Sequence, residues 1–181
     1  MNYHNITYPD QNNGDGLRVV LWLSGCSHHC DGCQNPQTWA TNSGIKFDDN
    51  AKHEIFEQLK KEYISGITFS GGDPLHKDNV DELYEVILDI TSKFPEKTLW
   101  LYTGYTWDEI WDFSNKSHEN IMRRQIVSFC DVLVDGEYVK QLRDTSLHWC
   151  GSSNQRVIDV QKSIKYIGLH QQKHKIVLWN S

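Results

Sequence analysis

No stretch of the 181-residue sequence is apolar for long enough to cross a bilayer, where a helix needs about 20 predominantly apolar residues in a row. No membrane association is expected. The start, Met1-Asn2-Tyr3-His4-Asn5, has neither the charged nor the apolar region of a secretory signal, so a cytoplasmic protein is expected. Cationic charge is scarce as well: 18 Lys and Arg against 24 Asp and Glu leave a formal net charge of −6. Without a basic stripe to neutralise phosphates, direct nucleic-acid binding is not expected, and a small molecule or another protein is the expected partner. The sequence also has no internal repeat, no low-complexity segment and no Pro- or Ser-rich linker. Its length fits one domain of ordinary size with a real core. Neither an acid–base pair nor a nucleophilic triad stands out.

The cysteines are few but unevenly placed. There are five, an odd number, which in a reducing compartment argues against a disulfide framework. Three are packed into Cys26-Ser27-His28-His29-Cys30-Asp31-Gly32-Cys33, while Cys130 and Cys150 stand apart and read as structural thiols.

Hydrophobic periodicity alternates between two kinds of segment. Continuous apolar runs at Val19–Leu23, Gly66–Ser70, Thr98–Thr103 and Val132–Val134 read as strands buried on both faces, the habit of parallel sheets. Between them, Ala51, Ile55 and Leu59, then Val80, Leu83, Tyr84 and Ile87, follow helical spacing. The second of these helices is expected to start at an Asp78 N-cap and to stop near Pro95. Thr106-Trp107-Asp108-Glu109 has the form of a capping box, and Met122, Ile126 and Phe129 suggest a further helix. The order β-α-β-α-β-α-β points to an α/β fold with a largely parallel sheet, too short to close an eight-stranded barrel. A partial, open (βα) barrel is expected. Beyond it, Ile164–Leu169 and Lys175–Trp179 read as two short strands joined by a polar stretch from His170 to His174. Trp22 and Trp100 are expected in the core, and His53, His76 and His118 at the surface.

Each unusual motif follows a strand: Cys26 the first, Gly71-Gly72-Asp73-Pro74 the second, Thr103-Gly104 the third, Asp135-Gly136 the fourth. Sites in parallel α/β folds assemble at this carboxyl edge. Three thiolates in C-x3-C-x2-C spacing suit an iron–sulfur cluster with one iron left without a protein ligand. A Cys3His zinc site using His28 or His29 is a second reading, and three unrelated buried thiols a third. In Gly71-Gly72 the lack of Cβ atoms lets backbone approach a ligand; a plain strand-to-helix turn is the alternative.

With both motifs in view, the sequence resembles the radical S-adenosylmethionine superfamily, and the similarity is closer to one branch, the anaerobic ribonucleotide reductase activating proteins. The resemblance runs through Asn13-Gly14-Asp15-Gly16-Leu17-Arg18, Ser24 to Cys33, Asn35, Thr38 and Trp39, Ser70 to Leu75, Trp100, Thr103 to Tyr105, Val134 to Gly136, Trp149, and Gly151 to Gln155. Asp15, Gln34, Glu137 and Cys150 depart from that family's usual residues. The resemblance implies a radical S-adenosylmethionine type of barrel over residues 1–156, with 157–181 as a C-terminal extension. It implies that Cys26, Cys30 and Cys33 hold a [4Fe–4S] cluster whose open iron takes S-adenosylmethionine, and that Gly71, Gly72 and Asp73 receive the cofactor's amino group. Gly32, beside Cys33, and Asp135 are further candidates for cofactor contacts, a strand-end cap being the other reading of Asp135. The implied activity is reductive cleavage to a 5′-deoxyadenosyl radical, which takes hydrogen from a glycine of the reductase large subunit. A flavodoxin-type protein is the implied electron donor. Two other functions stay open on the residues: a small radical enzyme acting on a metabolite, and a zinc-stabilised interaction module.

Overall fold

A computed structural model describes residues 1–170 and 176–180, with the side chains of 168–170 excepted. Among the described residues, seven strands form one sheet in the order β3-β1-β2-β4-β5-β6-β7. They are β1 (Asn2–Asp10), β2 (Arg18–Leu23), β3 (Ile45–Lys46), β4 (Gly66–Gly71), β5 (Thr98–Tyr102), β6 (Val132–Asp135) and β7 (Arg156–Asp159). The four strands read from the sequence, β2, β4, β5 and β6, run parallel at the centre. Antiparallel strands flank them: β1 and β3 on one side, β7 on the other. The sheet is mixed and does not close.

Residues that alternate along the strands enter two different environments, as the pleat requires. Val19, Leu21 and Leu23 of β2, Leu99 and Leu101 of β5, Leu133 of β6 and Ile158 of β7 join the main apolar cluster. That cluster is completed by α1 (Asp49–Leu59), α2 (Val80–Lys93) and α4 (His118–Phe129), which contribute Ile55, Leu83, Ile87, Ile126 and Val127 among others. Trp100, Val132 and Val134 face the other way and form a small cluster with Tyr102, Trp149, Cys150, Val157 and Trp179. Both faces are therefore covered, which is why the central strands read as unbroken apolar runs.

At the amino edge of the parallel strands, Arg18 is completely buried. Its guanidinium donates to Thr68 Oγ1 at 2.8 Å, to the carbonyls of Asp15, Ile67 and Thr98, and to Thr98 Oγ1. It also lies 5.3 Å from the Trp100 ring centroid. Burial pulls its pKa down to about 10. This side chain fastens the loop after β1 beneath the sheet.

The short helix α3 (Trp107–Ile110) has the expected capping box, with Thr106 and Glu109 bonding each other's backbone N–H. The N-cap of α2 is Asn79 rather than Asp78. Its amide is turned inward, donating to the carbonyls of Ser24 and Asp73, so it pins the site instead of capping the helix.

The tail differs more. Ile164–Leu169 is not a strand but part of the helix α5 (Val160–His170). Val160, Ile164 and Ile167 meet the main core at helical spacing, and Asp159 accepts from Lys162 N at the helix start, as an N-cap does. Of Lys175–Trp179, Lys175 falls outside the described residues, as does 171–174. The rest makes one isolated bridge, Leu178 to Ile158, bracketed by bonds from Asp159 N to Val177 O and from Trp179 N to Val157 O. This segment lies along the outer edge of β7. The boundary at 156/157 falls inside β7. Strand β1 was not read because its pairing with β2 slips between Tyr3 and Asn5 and again before Asp10, leaving Tyr3 and Ile6 as its buried residues and no clean alternation.

Among the described residues, no helix is long and apolar enough to cross a membrane.

Candidate cofactor site

A cavity of about 380 Å³ opens at the carboxyl edge of the parallel strands. Its lining includes Cys26, Cys30 and Cys33 from the loop after β2, Ser70 to Asp73 after β4, Tyr102 to Gly104 after β5, and Gly136 to Tyr138 after β6. Four loops separated in sequence thus converge, as the strand-end positions of their motifs led one to expect.

The first two loops are bonded to each other by backbone. Gly72 N donates to Leu23 O and Asp73 N to Gly25 O, both at 2.7 Å. Gly25 N and Cys26 N in turn donate to the carbonyls of Thr38 and Trp39. Gly71 has φ +108, and a Cβ there would meet the Leu23 backbone at 2.6 Å; a Cβ on Gly72 would meet Gly25 O at 2.6 Å. The glycine pair is required by this close approach of two chains.

Asp73 is 1% exposed, and its carboxylate is fully engaged. It accepts from Leu75 N, Thr103 Oγ1 and Gly104 N at 2.8–3.0 Å. His28 Nε2 lies 2.8 Å from its Oδ2, and His28 Nδ1 lies 2.8 Å from Glu137 Oε1. The Nε2 contact is at ion-pair distance but off the line of a good hydrogen bond. Burial works against charge on this imidazole, but the two carboxylates override it and push the His28 pKa up to about 9. The side chain of Asp73 therefore organises the turn, and what this turn can offer a ligand is backbone.

All three clustered thiols are free and partly buried. Burial pushes Cys26 up to about 11 and raises Cys30; metal binding would have to displace those protons. Among the described residues, no three or more His, Cys, Asp or Glu side chains are gathered tightly enough for a single metal ion. Three thiols spread around one cavity suit a larger, multi-iron group, so the donor set fits a cluster.

Two expected contacts are not brought to the lining. Gly32, with φ +74, packs against the Lys140 side chain. Asp135 accepts from Arg156 Nε at 3.0 Å and from Trp107 N at 2.7 Å, which is the strand-end cap.

Other lining residues had no site role assigned from the sequence: Asn12 and Tyr102, Trp22, expected in the core, and Asn13, Trp149 and Gln155, which figured only in the family resemblance. Trp22 is a cavity wall rather than core, because its β2 face turns from the helices. Trp149 has φ +63 and packs edge-on to Trp100 at 5.6 Å. Gln155 ties the segment back to the β6 loop, accepting from Gly151 N and donating to Gly136 O. Cys150 also lines the cavity, its thiol raised to about 11, first by burial and then by Asp135. Cys130 is wholly buried and structural. His76 is buried too, at 8% exposure, because it follows the turn inward beside Gly25.

Comparison with known proteins agrees with this arrangement. The family described as "4Fe-4S single cluster domain" matches residues 12–158. The anaerobic ribonucleoside-triphosphate reductase-activating protein of Escherichia coli (strain K12) is 42% identical over 87% of this chain and 97% of its own length. The protein of that name from Enterobacteria phage T4 is 40% identical over 87% of this chain and 93% of its own. The chain belongs to the anaerobic ribonucleoside-triphosphate reductase-activating protein family. The counterpart from Haemophilus influenzae, at 38% identity, covers 86% of this chain and 96% of its own length. An iron–sulfur cluster is accordingly part of this activating protein's chemistry. The family match ends inside β7, so α5 and the segment after it lie outside the matched region.

Proposed function

We propose that the cavity is a radical S-adenosylmethionine centre, in an open barrel of that type, and that the protein activates anaerobic ribonucleotide reductase. In this reading Cys26, Cys30 and Cys33 hold the [4Fe–4S] cluster, and the Gly71–Asp73 turn receives the amino end of S-adenosylmethionine through its backbone. When bound, these groups supply the reductive cleavage and the hydrogen abstraction that leaves a glycyl radical on the large reductase subunit. The chain's own part is orientation. Thr103, Gly104 N and Leu75 N hold the Asp73 carboxylate, and the turn it organises keeps backbone groups at the cavity wall. Trp22, Tyr102 and Trp149 line the same cavity and exclude water from it. Gly32 and Asp135 act from outside the lining, by shaping the cysteine loop and the end of β6.

Every described residue lining the cavity lies within 1–156; we assign the activating unit to this span and give 157–181, which carries the rest of β7 and α5, the role of an extension that braces the sheet. A flavodoxin-type protein is the proposed electron donor, and the cytoplasm, where thiols stay reduced, the proposed location.

One observation carries the reading: three thiols and a glycine-pair turn, bonded backbone to backbone, line a single cavity in a member of this family. The test is anaerobic incubation of the reduced, iron-loaded protein with S-adenosylmethionine and the large subunit. A glycyl-radical doublet in the EPR spectrum is expected. Loaded, reduced protein that yields no doublet would refute the proposal.

A further inference from the structure

The cavity loops are joined by a side chain that sits between two of the cysteines. His28 lies on the loop after β2, yet one ring nitrogen reaches Asp73 after β4 and the other reaches Glu137 after β6, each at 2.8 Å. The ring packs against Gly104 after β5, where a Cβ would come within 2.4 Å of it, and meets the Tyr105 ring edge-on at 4.7 Å. Its side chain is 11% exposed. One imidazole thus touches residues from three other strand-end loops.

We propose that His28 is a positioning residue: it locks the cysteine loop to the glycine-pair turn and to Glu137, so that thiols and cofactor-facing backbone keep one relative geometry. The inference rests on the functional reading above. Six residues separate Cys26 from Cys33: backbone bonds at Gly25 and Cys26 fasten one end, Cys33 N to Cys30 O and Asn35 N to Cys33 Sγ fasten the other, and between them His29 packs on the Trp39 ring and Asp31 pairs with Lys140 at the surface. Among these, His28 is the side chain that ties the loop to the turns after β4 and β5 as well as to Glu137. Asp73 is held by its own turn without help from His28, so the lock acts on the cysteine loop more than on Asp73. Glu137, exposed at its tip, is the outer anchor.

The test compares wild type, His28→Ala, His28→Gln, Glu137→Gln and the double variant His28→Ala/Glu137→Gln after anaerobic iron loading. Equilibrium dialysis measures S-adenosylmethionine binding, and EPR of the reduced cluster is recorded with and without it. His28→Ala is expected to weaken binding about tenfold and to broaden the cofactor-induced EPR change, with partial recovery in His28→Gln. Glu137→Gln is expected to lose about threefold, and the double variant no more than His28→Ala alone, since both break one linkage. Wild-type affinity and EPR in His28→Ala would overturn the proposal, and so would fully additive losses. If His28→Ala loads no iron, alkylation of Cys26 and Cys30 in the metal-free proteins decides: faster than wild type supports the lock, equal rates overturn it. Failure of wild type itself to bind S-adenosylmethionine would instead overturn the functional reading.

Discussion

On its helix-covered face the sheet buries Val, Leu, Ile and Phe side chains in one continuous cluster. On the opposite face the buried apolar residues are few, Val20, Trp100, Val132 and Val134 of the central strands, and the Arg18 guanidinium with its five hydrogen bonds packs beside Trp100. The first face is ordinary apolar packing, tolerant in identity and costly to hollow out. The second is assembled from loops, aromatic rings and directed polar contacts, because it has to leave a cavity. Stability and chemistry are thereby given to different sides of the same strands, and adjacent residues such as Leu101 and Tyr102 serve different ends.

Substitutions can break that separation or sharpen it. The largest effect is expected for Cys26→Ala, Cys30→Ala or Cys33→Ala: iron and sulfide content should fall to background, while the metal-free protein keeps its unfolding free energy to within about 0.5 kcal/mol. Full cluster content in any of these variants would remove that cysteine from the ligand set. Ile87→Ala, in the middle of α2 and completely buried, should cost about 3 kcal/mol in urea unfolding. Its cluster content should be unchanged where it is still folded. Arg18→Met tests the other face; leaving several buried carbonyl and hydroxyl partners without their donor should cost about 2–3 kcal/mol. A neutral result would mean that water takes over those contacts. The smallest effect belongs to Trp179→Ala, which removes the ring stacked edge-on against Trp100 at 5.8 Å. About 1 kcal/mol is expected by thermal melting, with a change in the fluorescence of the remaining tryptophans.

How much of this was legible in the sequence follows the same division. The four parallel strands, α1 and the capping box at Thr106 could be read because local periodicity and burial agree there. The three cysteines and the glycine pair could be placed on one edge because each follows a strand. The helix α5 differs from the strand expected there: Asp159, Val160, Ile164 and Ile167 carry a cap and a helical stripe, but the β-branched residues among them also favour a strand, and local propensity alone does not decide between the two. The cavity's other walls were not legible, since Trp22, Tyr102 and Asn12 meet only through sheet pairing and loop return, which leave no mark on local spacing. From the sequence, His28 enters only as a candidate ligand in the zinc reading. Its partners are 45 and 109 positions away, and no pattern within the cysteine motif reveals them.

The amides of Gly25, Cys26, Gly72 and Asp73 are already committed to carbonyls of neighbouring segments before any iron arrives. Maturation of this protein is therefore closer to filling a mould than to casting one. Delivered iron and sulfide meet a frame whose peptide groups need little rearrangement, unlike small metal-dependent domains that collapse without their ion. A chelator should strip colour from the protein and leave those four amide protons slow to exchange with deuterated water.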